Sequence, residues 1–364
     1  MNKIVVRPAW LVSNEAGDEL DPQLFPVLQA IHDAGKLTLA AEKAGLSYRH
    51  AWNLIGRWSA FFGSPLVNLE RGRGTTLTPL GEKLLWAEQR INARLAPQLE
   101  SLASELNLEI AKLVTTARST LRIHASHGFA VAKLPELLRS HSAIQLDLRY
   151  LGAQESLASV ARGACEFGGF HVPEGRLGEQ ALAQYAKWLM PGRQKLVHLV
   201  TRTQGLFLAR GNPKNIRSFA DLARPGVVFI NRQRGSGTRL LIDQLLEQAG
   251  VDHQRLDGYQ TEEFTHAAIA AYVASGMADA GFGVEPPARQ FNLDFIPVTK
   301  ERYFLICRDE TLQLAEAREF IGLLRGAAFR SLVAGLAGYT VPEAGEVADV
   351  AEVFPALEAR GPAR

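Results

Sequence analysis

From residue 118 to residue 355 the chain alternates short apolar, strand-like runs with amphipathic helical runs. This pattern constrains the fold most tightly, because strands separated by helices pair mostly in parallel and are packed between helical layers. Strand-like runs fall at 121–125, 145–151, 166–170, 227–231, 280–284, 295–297 and 303–308. Helical patterns cover 130–140, 156–162, 238–249 and about 267–275. An α/β body is predicted. At 364 residues the chain has room for two or three domains, so this body does not account for its front third.

The front third reads differently. Residues 24–34 carry the apolar stripe of a helix after an Asp21-Pro22 start signal. A second short helix is predicted from Thr38, taken as its N-cap, to Ala44, with Gly45 beyond its end. Ser47 then caps a third helix over 48–62, with an apolar face of Ala51, Ile55, Trp58 and Phe62. A helix, a glycine turn and a helix with a polar outer face form a helix-turn-helix, whose second helix fits the major groove. Ser47, Tyr48, Arg49, His50, Asn53 and Arg57 are the candidate DNA contacts. Arg49 suits a guanine edge, Asn53 an adenine and Arg57 a phosphate. The run 65–79 reads as a hairpin with Arg71 and Arg73 at its tip, a basic wing placed for the DNA backbone. Thr78-Pro79 opens a long amphipathic helix, in which Leu95, Leu99, Leu102 and Leu106 form a helix–helix seam. Pro97 is expected to kink or split that helix.

The net charge of +2 hides an asymmetry, for nine basic and four acidic residues lie between positions 36 and 94. This stretch carries +5 and the remainder −3, so a basic head precedes a slightly acidic body. The stretches TLAAEKAGLSYRHAWNLIGRW and LVNLERGRGTTLTPLGEKLL resemble the DNA-binding domain of ModE-type molybdate-responsive regulators and, more loosely, that of LysR-type regulators. The string Ser47, Tyr48, Arg49, Ala51, Trp52 carries most of that resemblance, which extends over about residues 20–110.

In the body, four strand-to-helix turns carry small polar donors. They contain Ser126-His127, the segment 152–156 ending in Ser156, the run Asn231 to Arg239, and Thr265-His266. In open α/β sheets ligands sit at the carboxyl ends of strands, against helix N-termini. The Arg234-Gly235-Ser236-Gly237-Thr238 turn is the sharpest of the four, with glycines that let amides converge and a helix dipole that favours an anion. It lacks the spacing of a P-loop and of a dinucleotide fingerprint. The strings GLFLARGNPKNIRSFADLARPGVVFINRQRGSGTRLLIDQLL, HAAIAAYVASGMADAGFGVEPPARQFNLDFIPV and EFGGFHVP resemble the type II periplasmic-binding-protein fold in its molybdate-type receptor variant, over about residues 120–330.

That resemblance implies two lobes, with crossings near 200–205 and 298–303 and a ligand in the cleft. By matching position it implies donors from Ser126, Ser156, Ser236, Thr238 and Thr265, with Arg232, Arg234, His127 and His171 lining the cleft. Asn231, Gly235 and Gly237 complete the candidate set. Molybdate-type receptors mostly use neutral donors, so the arginines leave tungstate, formate or another small carboxylate open beside molybdate.

The expected organisation is a winged helix-turn-helix over 1–80, a dimerisation helix over 81–115 and a two-lobed effector domain over 118–355. Lobe I takes about 118–200 and 303–355, and lobe II about 205–298. The expected partners are double-stranded DNA, a small anionic effector and a second copy of the chain, as a homodimer or tetramer. No cofactor, metal or membrane is expected, nor catalysis: there is no GxSxG elbow and no histidine pair at metal spacing. With no long apolar run and only Cys165 and Cys307, a cytoplasmic protein is expected. The competing class is a constitutive DNA-binding architectural protein whose rear domain binds a partner protein.

Overall fold

A computed structural model describes residues 4–15, 17, 19–70, 74–114 and 119–360. The chain divides into two compact units, one of Arg7–Leu95 and one of Met1–Val6 with Ala96–Arg364.

In the first unit a two-residue ribbon, β1 (Val12–Ser13) and β2 (Glu19–Leu20), precedes three helices, α1 (Leu24–Ala34), α2 (Leu37–Lys43) and α3 (Tyr48–Phe62). Gly35 and Gly45, both at positive φ, reverse the chain after α1 and α2. The hairpin β3 (Val67–Glu70) and β4 (Gly74–Leu77) is antiparallel, and the amide of Thr75 on β4 donates to Gly35 O at 2.8 Å. Leu24, Val27, Leu28, Ile31, Ala51, Leu54, Trp58 and Leu66 form its core.

Three local expectations are corrected. Lys36, in extended backbone, holds the N-cap position of α2, and Thr38 lies inside the helix, because burying Leu37 draws it into the first turn. Leu54 takes the buried place on α3 that was assigned to Phe62, which sits at the rim beside the helix-ending Gly63. The long helix α4 (Pro79–Val114) is a single helix through Pro97. Its start follows the expected signal, with Thr78 Oγ1 accepting from Gly81 N at 3.2 Å.

Beyond residue 96, α4 lies on the edge of a sheet. Ser104 Oγ accepts from Leu148 N and Ser101 Oγ from Tyr150 N, both at 3.0 Å, so two hydroxyls supply partners for an edge strand. This docking explains why the helix persists past Pro97.

The second unit is built on strands β5 (Thr120–Ala125), β6 (Gln145–Tyr150), β7 (Phe167–Pro173), β8 (Gln194–Leu208), β9 (Phe229–Arg232), β10 (Glu262–Glu263), β11 (Ala280–Val284) and β12 (Asp294–Arg308). Their order is β10-β9-β11-β8-β12-β7-β5-β6, with β13 (Tyr339–Thr340) and β14 (Val347–Asp349) also on β8. β5, β6 and β7 pair in parallel, as do β9, β10 and β11. The 15-residue strands β8 and β12 run antiparallel through both halves of the sheet. They are the two crossings that make the body two-lobed.

Helices α5 (Leu134–His141), α6 (Ala153–Ala161), α7 (Arg176–Tyr185), α11 (Ala315–Arg325), α12 (Ala327–Ala334) and α13 (Val350–Val353) belong to lobe I. Helices α8 (Gly237–Gln248), α9 (His266–Ala274) and α10 (Glu285–Gln290) belong to lobe II. Lobe I has apolar clusters around Phe167 and Phe320 and around Phe170 and Phe304; lobe II has one around Phe229 and Phe282. Among the described residues no helix is long and apolar enough to cross a membrane.

Candidate ligand cleft and nucleic-acid interface

On α3 the buried stripe of Ala51, Leu54, Ile55 and Trp58 leaves Tyr48, Arg49, His50, Trp52, Asn53 and Arg57 exposed. Ser47 Oγ accepts from His50 N at 3.2 Å and fixes the start of that helix. The face so presented is cationic and polar with two aromatic rings, the composition that base edges and phosphates select. Arg71 and Arg73 lie outside the described residues.

The cleft is organised around the two crossing strands. Strand register sets Glu301 of β12 opposite Arg202 of β8, and Arg202 Nε donates to Glu301 Oε1 at 2.5 Å. Both side chains are almost wholly buried, at 1% and 0% exposure. Ion pairs at such depth persist only when held by geometry and hydrogen bonds. Next to them stand His171 of β7, with Nε2 3.9 Å from Glu301 Oε2, and Tyr303, whose hydroxyl donates to Ser126 O at 2.8 Å. Ser126 Oγ lies 3.0 Å from the Tyr303 hydroxyl and 3.4 Å from His171 Nδ1.

Lobe II brings Arg232 and two helix starts. Arg232 Nε donates to Gln233 Oε1 and Nη2 to Phe264 O, each at 3.0 Å, which locks the guanidinium and leaves Nη1 unpartnered. Arg202 Nη1, His171 Nε2 and His266 Nδ1 are likewise buried without a hydrogen-bond partner. Ser236 Oγ and Thr265 Oγ1 accept from Arg239 N and Ala268 N and cap α8 and α9. The amides ahead of each cap contact have no intrahelical partner, so both helices offer donors and a positive dipole end.

Glycines make this convergence possible. A Cβ at Gly237 would stand 2.7 Å from His171 Nε2, one at Gly169 2.6 Å from the Tyr303 hydroxyl, and one at Gly128 3.2 Å from Arg202 Nη1. A side chain at any of these positions would displace a polar group of the site.

The electrostatics follow from burial and the two guanidinium charges. Burial, reinforced by Arg232 and Arg202, brings His127 down to about 4. Burial brings His171 to about 4 against the pull of Glu301, and His266 well below its usual range. These imidazoles are neutral at pH 7. Burial and the nearby Arg202 lower Arg232 to about 10, still protonated at pH 7. Burial works to raise the Glu301 carboxyl, yet Arg202 and His171 hold it below the usual carboxylate value.

Of the residues picked from sequence, the fold brings Ser126, His127, His171, Arg232 and the starts of α8 and α9 at Gly237 and Thr265 to one region. Thr238 is the buried second residue of α8, and Gly235, at φ 81°, shapes the turn before it. Arg234 and Asn231 are drawn to other partners, and Ser156 offers only its hydroxyl. Arg234 is 74% exposed because Glu262 and Gln260 draw its guanidinium outward. Asn231 is buried with its amide donating to Tyr259 O at 3.1 Å, so it joins strands. Ser156 lies inside α6 with its amide bonded to Gly152 O, while its buried Oγ has no hydrogen-bond partner.

Arg202, Glu301 and Tyr303 are absent from the sequence candidates, and His266 was named only as opening a helix. The one available signal was Arg202, a charge in an otherwise apolar strand, since buried charges are rare unless paired; Glu301 sits in the charged string Lys300-Glu301-Arg302 and reads as surface.

Residues 135–325, more than half of the chain, match the PBP superfamily domain, and the chain belongs to that superfamily. Residues 23–82 match the bacterial regulatory helix-turn-helix protein domain of the lysR family. The Bacillus subtilis protein YvgK, itself uncharacterized, is 34% identical over 200 residues, covering 55% of this chain and 64% of that protein. The molybdenum-pterin-binding protein MopB of Rhodobacter capsulatus is 32% identical over 162 residues, 43% of this chain and 58% of its own. The chain thus spans less than two thirds of the length of both relatives. A hydrogen-peroxide-bound mutant of Corynebacterium glutamicum OxyR superposes with a TM-score of 0.45 at 16% identity, covering 86% of this chain and 93% of that one.

Proposed function

We propose that this chain is a DNA-binding transcriptional regulator whose two-lobed domain senses a small anion. The observation that carries the reading is the pair of buried guanidiniums, Arg202 and Arg232, each with Nη1 unpartnered beside the capped starts of α8 and α9. Two fixed cations and two helix N-termini form an anion site with donors from both lobes. An anion bound there draws the lobes together, and it shifts DNA binding only through its greater affinity for the closed form. The lysR-family match over 23–82 supports the DNA-binding half.

The name of the Rhodobacter relative makes molybdate and tungstate the first anions to try. The guanidinium pair equally suits formate or another planar carboxylate. The test is calorimetric titration of the full chain with molybdate, tungstate, sulfate, formate and small carboxylates. At least one is expected to bind the wild type and Arg234→Ala alike and to lose at least about tenfold in affinity with Arg232→Ala. Silence from the whole panel, the outcome expected of a constitutive architectural protein, overturns the sensing half.

A further inference from the structure

Tyr150 touches both the cleft and the long helix. It ends β6, level with Ala125 at the end of β5, and Ser126 and His127 follow directly on β5. Its ring meets the His127 ring edge-on, with centroids 4.9 Å apart. The same residue holds α4. Its amide donates to Ser101 Oγ at 3.0 Å, and its enclosed hydroxyl lies beside the Glu100 carboxylate. Burial, with that carboxylate next to it, pushes the Tyr150 pKa well above its usual value.

The helix is weakest where Tyr150 holds it. Pro97 brings no amide to the helical ladder. Ser101 Oγ, besides accepting from Tyr150 N, donates to Pro97 O at 3.0 Å, and a serine bonded to the carbonyl four residues back favours a bend. One of the two passages of the chain between its compact units, 95–96, falls immediately before Pro97. Close-packed rings do not move independently, so a displaced His127 displaces Tyr150. Coupling between sites needs an element with two arrangements, and the Pro97 turn, straight or bent, supplies one.

Resting on the reading of the cleft as an anion site, we propose that Tyr150 is a positioning residue, which takes its place from His127 through its ring and sets the bend of α4 at Pro97. An anion that moves the His127 loop on binding then alters the helix that leads into residues 7–95.

Calorimetry and hydrogen exchange on the full chain test this, with molybdate, tungstate, sulfate, formate and small carboxylates in turn. In the wild type, an anion that binds is expected to change exchange at the amides of residues 98–104 by at least about threefold. Tyr150→Ala deletes the ring and keeps the backbone amide. It is expected to lose that response while binding the anion within a few-fold of wild type. Tyr150→Phe, which keeps the ring on His127, is expected to retain it. The link is overturned, while the anion site stands, by a bound anion that leaves 98–104 unchanged, by a wild-type response in Tyr150→Ala, by anion binding lost in that variant, or by no rescue in Tyr150→Phe. No binding by any anion of the panel overturns the site and the link together. If Tyr150→Ala does not fold, Ser101→Ala cuts the helix side alone, and a wild-type response there overturns the link.

Discussion

Arg202 and Glu301 show what a single residue reveals before its partner is known. Arg202 follows the buried Leu199 and Val200, whereas Glu301 lies between Lys300 and Arg302, ahead of the buried Phe304 and Leu305. A single charge such as Arg202, or a charged triplet such as 300–302, reads equally well as an edge or a strand end. The register that pairs the two joins positions 99 apart, and no local spacing encodes it. His171 and Arg232 were within reach because each lies at or near the end of a strand in a recognisable string, whereas His266 was passed over as a helix opener. The buried histidines also set a pH dependence. His127, His171 and His198 titrate at about 4 when folded, and His266 lower than usual, in each case chiefly through burial. In the unfolded chain each titrates near 6.5, so between about 6.5 and 4 the unfolded state binds more protons. Stability is therefore complete above about pH 6.5 and is lost as pH falls toward 4. Thermal melts are expected to show Tm dropping across that window, with a shallower drop for His198→Gln; a flat Tm from pH 6.5 to 4.5 contradicts the neutral burial of these rings.

Elements whose signals are local were read closely. Ser47 and Gly63 bound α3, and Thr78 starts α4, because caps and positive-φ glycines act within one turn. What α4 does with its surface was not readable in the same way. Its leucines drew attention as a seam, yet Leu102 and Leu106 stay exposed while Ser101, Ala103, Ser104 and Ala111 face the sheet. Serine on a helix face looks like solvated surface unless the edge strand it serves is known. The same face holds Asn107, whose side-chain amide exchanges two 2.9 Å hydrogen bonds with the backbone of Ile4. Removing a hydroxyl there strands a backbone donor. Ser104→Ala is expected to cost about 1 kcal/mol in urea denaturation, with faster hydrogen exchange at Leu148 N than at Leu121 N. Unchanged exchange at Leu148 would show that the helix does not supply the edge partner.

At the scale of the whole molecule, the exposed leucines and the uneven charge belong to one question: how the proposed regulator would meet DNA. Leu102 at 57% and Leu106 at 39% exposure lie one helical turn apart on α4. Single exposed leucines are ordinary, but a spaced pair on a long helix fits a second copy of that helix. Sedimentation of a Leu102→Glu/Leu106→Glu variant is expected to give monomer where the wild type gives dimer; identical sedimentation would place any dimer contact elsewhere. DNA affinity then separates two kinds of cation. The basic excess of the chain lies between residues 36 and 94 and the rest is weakly acidic, so the proposed DNA binding is expected to draw on phosphate attraction from that head alone. Each phosphate contact releases condensed counterions and adds about one to the slope of log affinity against log salt. Arg73, outside the described residues, is read from the sequence alone as a backbone contact, and Arg73→Ala is expected to weaken binding to every DNA alike and lower that slope by about one. Arg49, exposed on the first turn of α3, is placed for a base edge. Arg49→Ala is expected to cost about 1–3 kcal/mol on the preferred site, to relax preference at one base position, and to leave weak nonspecific binding and its slope nearly unchanged. The measurement is a salt titration of both variants on specific and scrambled duplexes. A uniform loss with Arg49→Ala across all sequences would reassign that side chain to phosphate and move base readout to Asn53 or the aromatic pair Tyr48 and Trp52.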